Sequence, residues 1–100
     1  MKRYLGERTI DGIRVTVDGA PLGMRDDIAA LSETGFEWTY EGTAPAQLAL
    51  ALLADHLADD ARALALHDRF MRAVVANFGN DWEMTGADID AALAVIEVER

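Results

Sequence analysis

One hundred residues, 51% of them hydrophobic, supply enough apolar side chains for the core of a single domain spanning residues 1–100. Cysteine is absent, which excludes disulfides, thiolate-bound zinc and a cysteine nucleophile. The formal charge of −9 argues against direct nucleic-acid binding, which relies on Lys and Arg to neutralise phosphates.

The opening "MKRYLGERTI" carries Lys2 and Arg3 but no apolar run behind them, so a secretory leader is not expected. Strand character begins at Tyr4–Ile10 and returns at Ile13–Val17, where Ile13, Val15 and Val17 alternate with Arg14 and Thr16. Asp11-Gly12 between them predicts a two-residue hairpin turn, which needs positive φ at both central positions. "VDGAPLG" is then expected to break the sheet through Asp18-Gly19, Pro21 and Gly23, and "RDDIAAL" to make a short helical turn. Phe36-Glu37-Trp38-Thr39-Tyr40 alternates aromatic with polar residues and predicts a third strand with its aromatics inward.

Thr43 is the expected N-cap of a first helix, with Pro45 in the first turn where a missing N–H is harmless. Leu48, Leu52, Leu53, His56 and Leu57 trace one face, while Leu50 and the alanines make the other apolar too. A helix apolar all round belongs in the middle of a core. Trp38, Tyr40, Pro45, Gln47 and Leu48 are therefore read as the joint between the aromatic segment and this helix, with Gln47 satisfying buried backbone.

A second helix is expected from about Asp60 to Phe78, capped by Asp59 or Asp60 and ended by "GND". Trp82 to Met84 reads as short and extended. Thr85 with Asp88 resembles a capping box ahead of a last helix whose Ile89, Ala92, Leu93 and Ile96 form a stripe. The fold class expected is α+β: a small antiparallel sheet of about three strands, N-terminal hairpin included, packed against two to three helices.

"FEWTYEGTAPAQLALALL", Phe36 to Leu53, resembles the signature of a family of small, uncharacterised prokaryotic and phage-borne domains, approximately F-E-W-G-Y-x-G-x-G-P-A-Q-L-A-L-A-[IL]-L. Tyr4-Leu5-Gly6-Glu7-Arg8 is similar to that family's opening Y-x-G-x-R. Trp82 to Thr85 with Asp88-Ile89 is similar to its closing W-x-[IL]-[ST]-x-x-[DE]-I. Thr39 and Ala44 stand where the family usually has glycine. The resemblance implies a shared fold and an association with mobile elements, and no activity.

The 40–45 turn ahead of a helix offers N–H groups to an anion or small ligand, but Glu37 and Glu41 crowd it with negative charge. It matches neither a P-loop nor a dinucleotide fingerprint. His56 and His67 lie eleven residues apart without HExxH spacing, so no metal or other cofactor is expected. Ser32, the only serine, has no elbow motif around it, and the carboxylate pairs sit at surface-like positions; an enzyme is not expected.

Charge distribution is the strongest functional lead. Residues 1–35 hold six acids against five bases, whereas 36–60 and 81–99 contain no Lys or Arg. Asp55, Asp59, Asp60, Asp81, Glu83, Asp88, Asp90 and Glu97 are the candidate contact residues of an acidic face. Such a face fits a basic, nucleic-acid-handling protein partner by mimicking a nucleic-acid backbone. Two alternatives stay open: an anion or small ligand at the 40–45 turn, and a homo-oligomer formed through Leu64, Leu66 and Met71. The longest apolar stretch, Leu48–Ala54, is too short to span a bilayer, so a cytoplasmic protein without membrane contact is expected.

Overall fold

The computed structural model describes residues 2–98; Glu99, the last carboxylate of the 81–99 run, lies outside them. Among the described residues the order is β1 (Arg3–Thr9), β2 (Gly12–Val17), β3 (Ala20–Pro21), α1 (Thr43–Leu57), α2 (Asp60–Ala73), β4 (Trp82–Thr85) and α3 (Gly86–Val98). A 3-10 turn at Val75–Asn77 follows α2. The strands form one antiparallel sheet in the order β3-β2-β1-β4, a compact α+β fold with an N-terminal hairpin and three helices.

Turn chemistry explains the hairpin end of the sheet, with one correction. Thr9 pairs with Gly12, so Ile10-Asp11 makes the first turn, one residue before the expected Asp11-Gly12. Positive φ there is confined to Gly12, at +118°. The Thr9 hydroxyl closes the turn by donating to the Gly12 carbonyl at 2.7 Å. The second Asp-Gly pair is the one with positive φ at both central positions, +50° at Asp18 and +85° at Gly19. It does not break the sheet: Val17 pairs with Ala20 across it and β3 is added. Pro21, which lacks a donor, ends that strand at the sheet edge.

Tyr4 and Gly6 of β1, Val15 and Val17 of β2, and Trp82 and Met84 of β4 share the inner face, as the register requires. Gly6 is opposite Trp82, and a Cβ on Gly6 would lie 2.2 Å from indole atoms. The missing side chain is what lets the ring lie against the strand. Trp82 stacks on Phe78 with centroids 4.4 Å apart and meets Trp38 edge-on at 5.8 Å. Its Nε1 is buried without a hydrogen-bond partner among the described residues.

Trp38 reaches this cluster from an irregular segment, since the strand expected at 36–40 does not form. Thr39 adopts φ +84°, which breaks the alternation; Trp38 is fully buried while Tyr40 turns out to 49% exposure. The sheet's fourth strand comes instead from Trp82–Thr85. "RDDIAAL" supplies only a single turn, closed by Ile28 N–H donating to the Arg25 carbonyl at 3.0 Å.

Helix α1 starts at Thr43 rather than after it, with Gly42 at the cap and no side-chain capping bond. From Ala44 to Ala54 every residue is buried, which its all-round apolarity demands. Ala58, in the left-handed region, turns the chain, and Asp59 caps α2 by accepting from the Arg62 N–H at 3.0 Å. α2 ends at Ala73, short of the expected Phe78, because Val74 leaves helical geometry. Asn77 Nδ2 then covers the Ala73 carbonyl at 3.0 Å. The Thr85–Asp88 capping box is reciprocal, with bonds of 2.9 and 3.2 Å. No helix among the described residues is long and apolar enough to cross a membrane.

Candidate functional site

Three elements meet where α1 ends: the start of β1, the start of α2 and the start of α3. Asp55 on the last turn of α1 accepts from the Tyr4 hydroxyl at 2.7 Å and from Lys2 Nζ at 3.1 Å. Tyr4 is fully buried, and that burial, reinforced by the Asp55 hydrogen bond, pushes its hydroxyl pKa far above the ordinary value. His56, the next residue, places Nε2 2.6 Å from Asp90 Oδ1 on α3. Gly86 allows this approach, because a Cβ there would lie 2.9 Å from His56 Cε1. Lys2, His56, Gly86, Ala87 and Asp90 line a shallow groove of about 420 Å³.

The neighbouring carboxylates are each engaged. Asp60 pairs with Arg25 at 3.1 Å, Asp59 caps α2, Asp88 caps α3, and Glu97 takes Arg62 at 2.6 Å. Asp55, Asp59, Asp60 and, through His56, Asp90 thus lie at the α1–α2 corner, whereas Asp88 is engaged within the cap of α3 and Glu97 reaches Arg62 from two turns farther along α3. The other two candidates lie elsewhere. Glu83, on the outer face of the sheet, pairs with Arg3 at 3.1 Å. Asp81 accepts the Arg8 N–H at 3.3 Å, towards the far end of β1. With Leu5, Gly6, Glu7 and Trp82 these two line an outer groove of about 480 Å³.

A segment without bases in sequence is therefore not without bases in space. Lys2, Arg3, Arg25 and Arg62 are delivered to the two acidic runs by β1, the 22–42 loop and α2. Sequence reasoning did not foresee these pairs, nor the His56–Asp90 contact, since their partners lie from 34 to 80 positions apart. The inward phase of Tyr4 on β1 was the one available signal for its meeting with α1.

At the aromatic joint, Trp38 donates Nε1–H to the Asn80 carbonyl at 3.1 Å, and the Arg8 guanidinium sits 4.7 Å above its ring. Arg8 also pairs with Glu37 at 2.7 Å; that hydrogen bond holds the Glu37 carboxyl below the usual carboxylate range. Pro45, Gln47 and Leu48 are buried, whereas the Tyr40 ring lies over Gly42 at the surface. Gln47 serves the loop rather than the turn: its Oε1 accepts from Leu31 and Ser32 N–H at 2.7 and 3.1 Å. Its Nε2 donates to the Met24 and Ala29 carbonyls at 2.7 and 3.1 Å. At the start of α1, Ala44 and Pro45 are buried while Glu41 and Thr43 stay exposed.

His67 turns back to the Leu64 carbonyl at 2.6 Å. Among the described residues no three His, Asp or Glu side chains converge as metal ligands. The surface expected around Leu64, Leu66 and Met71 is not continuous: Leu66 and Met71 are buried, and only Leu64 reaches the surface, at 40% exposure.

Residues 4–95 match a protein family described as a family of unknown function (DUF6166). No curated protein and no solved structure matches the chain.

Proposed function

The chain thus belongs to that family of unknown function, and we propose that this member is a non-catalytic domain whose acidic corner binds a basic protein. The observation that supports the reading is the acidic cluster where α1 gives way to α2: Asp55, Asp59, Asp60 and Asp90 lie there, with Lys2 bound to Asp55 and Arg25 to Asp60. A chain of net charge −9 attracts a cationic partner at long range, and a locally acidic corner orients it. The internal ion pairs are solvent-exposed, and such pairs contribute only about 0–1 kcal/mol, so incoming Arg or Lys side chains exchange for them at small cost.

The finer reading is that the partner handles nucleic acid and that the carboxylates stand in for phosphates. An origin in phage or other mobile elements, together with a cytoplasmic location, belongs to the same proposal, on the resemblance of the 36–53 segment. The test substitutes Asp59→Asn, Asp60→Asn, Asp88→Asn and Asp90→Asn together, because Asn preserves helix capping while removing charge. Fluorescence anisotropy with an arginine-rich basic-region peptide should show at least a tenfold loss of affinity, and wild-type affinity should fall as salt rises. Wild-type protein, and not the variant, should displace DNA from the same peptide. Equal affinity of the two proteins would refute the reading.

A further inference from the structure

Strand β3 covers only part of the edge of β2. Ladder bonds to β1 fall on alternate residues: Asp18 N–H donates to the Arg3 carbonyl at 2.9 Å, and the Thr9–Gly12 pair closes the hairpin. In that register the backbone groups of Gly12, Arg14 and Thr16 point toward β1, and those of Ile13, Val15 and Val17 toward the opposite edge. Ala20 pairs with Val17, and Leu22 N–H donates to the Val15 carbonyl at 3.0 Å. By the same count Met24 would come next, opposite Ile13. Gln47 Nε2 instead binds the Met24 carbonyl at 2.7 Å, and the chain leaves the edge. Among the described residues the Ile13 N–H and carbonyl have no partner.

A groove of about 370 Å³ opens there, lined by Ile13, Val15, Leu22, Met24 and Phe36 among others. Arg14 is its only charged lining residue, and no carboxylate lines it. Among the described residues every other Lys or Arg has an ion pair or a side-chain hydrogen bond, and Arg14 has neither. Glu7, opposite Arg14 in the register, does not bond to it. These features specify an occupant. An unpaired donor and acceptor on one strand residue match the backbone of an added strand. The added residue beside Ile13 turns its side chain into the apolar groove, because partners across a ladder share a face. Its neighbour along the added strand projects from the outer face, which is the side of Arg14 in the β2 alternation. An acidic side chain there meets the free guanidinium. A small apolar acid would leave the Ile13 backbone unpaired, and a second copy would bring its own charge of −9.

We propose that the β2 edge at Ile13 is a docking groove for an extended peptide of a partner protein, in which an acidic residue stands next to an apolar one. The groove shares no residue with the acidic corner, so this inference goes beyond that reading and does not depend on it. One backbone rung and one groove make a contact below the roughly 800 Å² per partner of a stable complex. Binding is accordingly weak, with a dissociation constant of about 10 µM to 1 mM.

Amide chemical shifts of the full chain, followed during titration with acetylated pentapeptide amides to about 2 mM, cover that range. The peptides carry Val, Ile or Phe on both sides of a central Glu. The Ile13, Leu22 and Phe36 amides should shift and saturate with at least one of them. Replacing the peptide Glu by Gln, or Arg14→Gln in the protein, should weaken binding about fivefold or more. N-methylation of the two apolar residues removes the peptide's backbone donors and should abolish the shifts. The free acid 3-phenylpropionate, which has no peptide backbone, should leave the Ile13 amide unmoved. The inference is overturned if no peptide moves the Ile13 amide, or if the N-methylated or Gln peptides bind as well as the parent. It is equally overturned if 3-phenylpropionate shifts Ile13 as the peptides do, or if that amide moves with protein concentration alone, which would make a second copy the occupant.

Discussion

A β-branched side chain at positive φ is strained, and Thr39 sits at φ +84° while its N–H donates to the Val75 carbonyl at 3.2 Å. The strain is held because Trp38, one residue back, is locked in the core between Arg8, Asn80 and Trp82. Glycine adopts this conformation freely, at the cost of a more flexible unfolded chain. Thr39→Gly should therefore stabilise the protein by about 1 kcal/mol net, read as a higher urea midpoint at unchanged slope. A lower midpoint would show that the threonine side chain contributes more than its backbone conformation costs. The same reasoning gives the glycine expected at position 39 from the 36–53 resemblance a conformational role. Ala44, at the other expected glycine, lies inside α1 and has no such need.

Between Pro21 and Thr43 no helix or strand forms, and a connection that long needs something to hold it. Gln47, projecting from the fully buried face of α1, supplies four hydrogen bonds to the backbone from Met24 to Ser32. Each buried backbone group left without a partner costs about 1–3 kcal/mol. Gln47→Ala removes four partners at once, though a loop near the surface regains some bonds to water. We expect a net loss of about 2–4 kcal/mol. Hydrogen exchange at the Leu31 and Ser32 amides should accelerate more than at amides of β1. Uniform acceleration would mean that the loop is held by its apolar contacts instead.

At the scale of the molecule, the sheet and the helical layer are tied by Tyr4 and Lys2 converging on Asp55. Tyr4 has a folded pKa above its unfolded value, so its contribution to stability is complete below about pH 10. Above that, the unfolded chain releases the Tyr4 proton while the folded chain retains it, and stability falls as pH rises. In a Tyr40→Phe background, Tyr4 should ionise only as the protein unfolds, followed by tyrosinate absorbance alongside circular dichroism. Ionisation of Tyr4 near pH 10 with the fold intact would contradict this arrangement.

The sequence by itself determined the features that depend on neighbours along the chain. Alternation in "IRVTV" set the inner face of β2, all-round apolarity buried α1, and Asp59 and the Thr85–Asp88 box marked where two helices begin. Each is legible because its interacting groups lie within one or two turns or on one strand face. Segment 36–40 misled because its aromatic alternation is equally compatible with a strand and with a strained loop that inserts one ring. Only the backbone turn at Thr39 decides between them. Charge was least legible of all: the acidic runs lack bases in sequence but acquire Lys2, Arg3, Arg25 and Arg62 in space. Ion pairs act through distance in three dimensions, and the fold alone sets those distances.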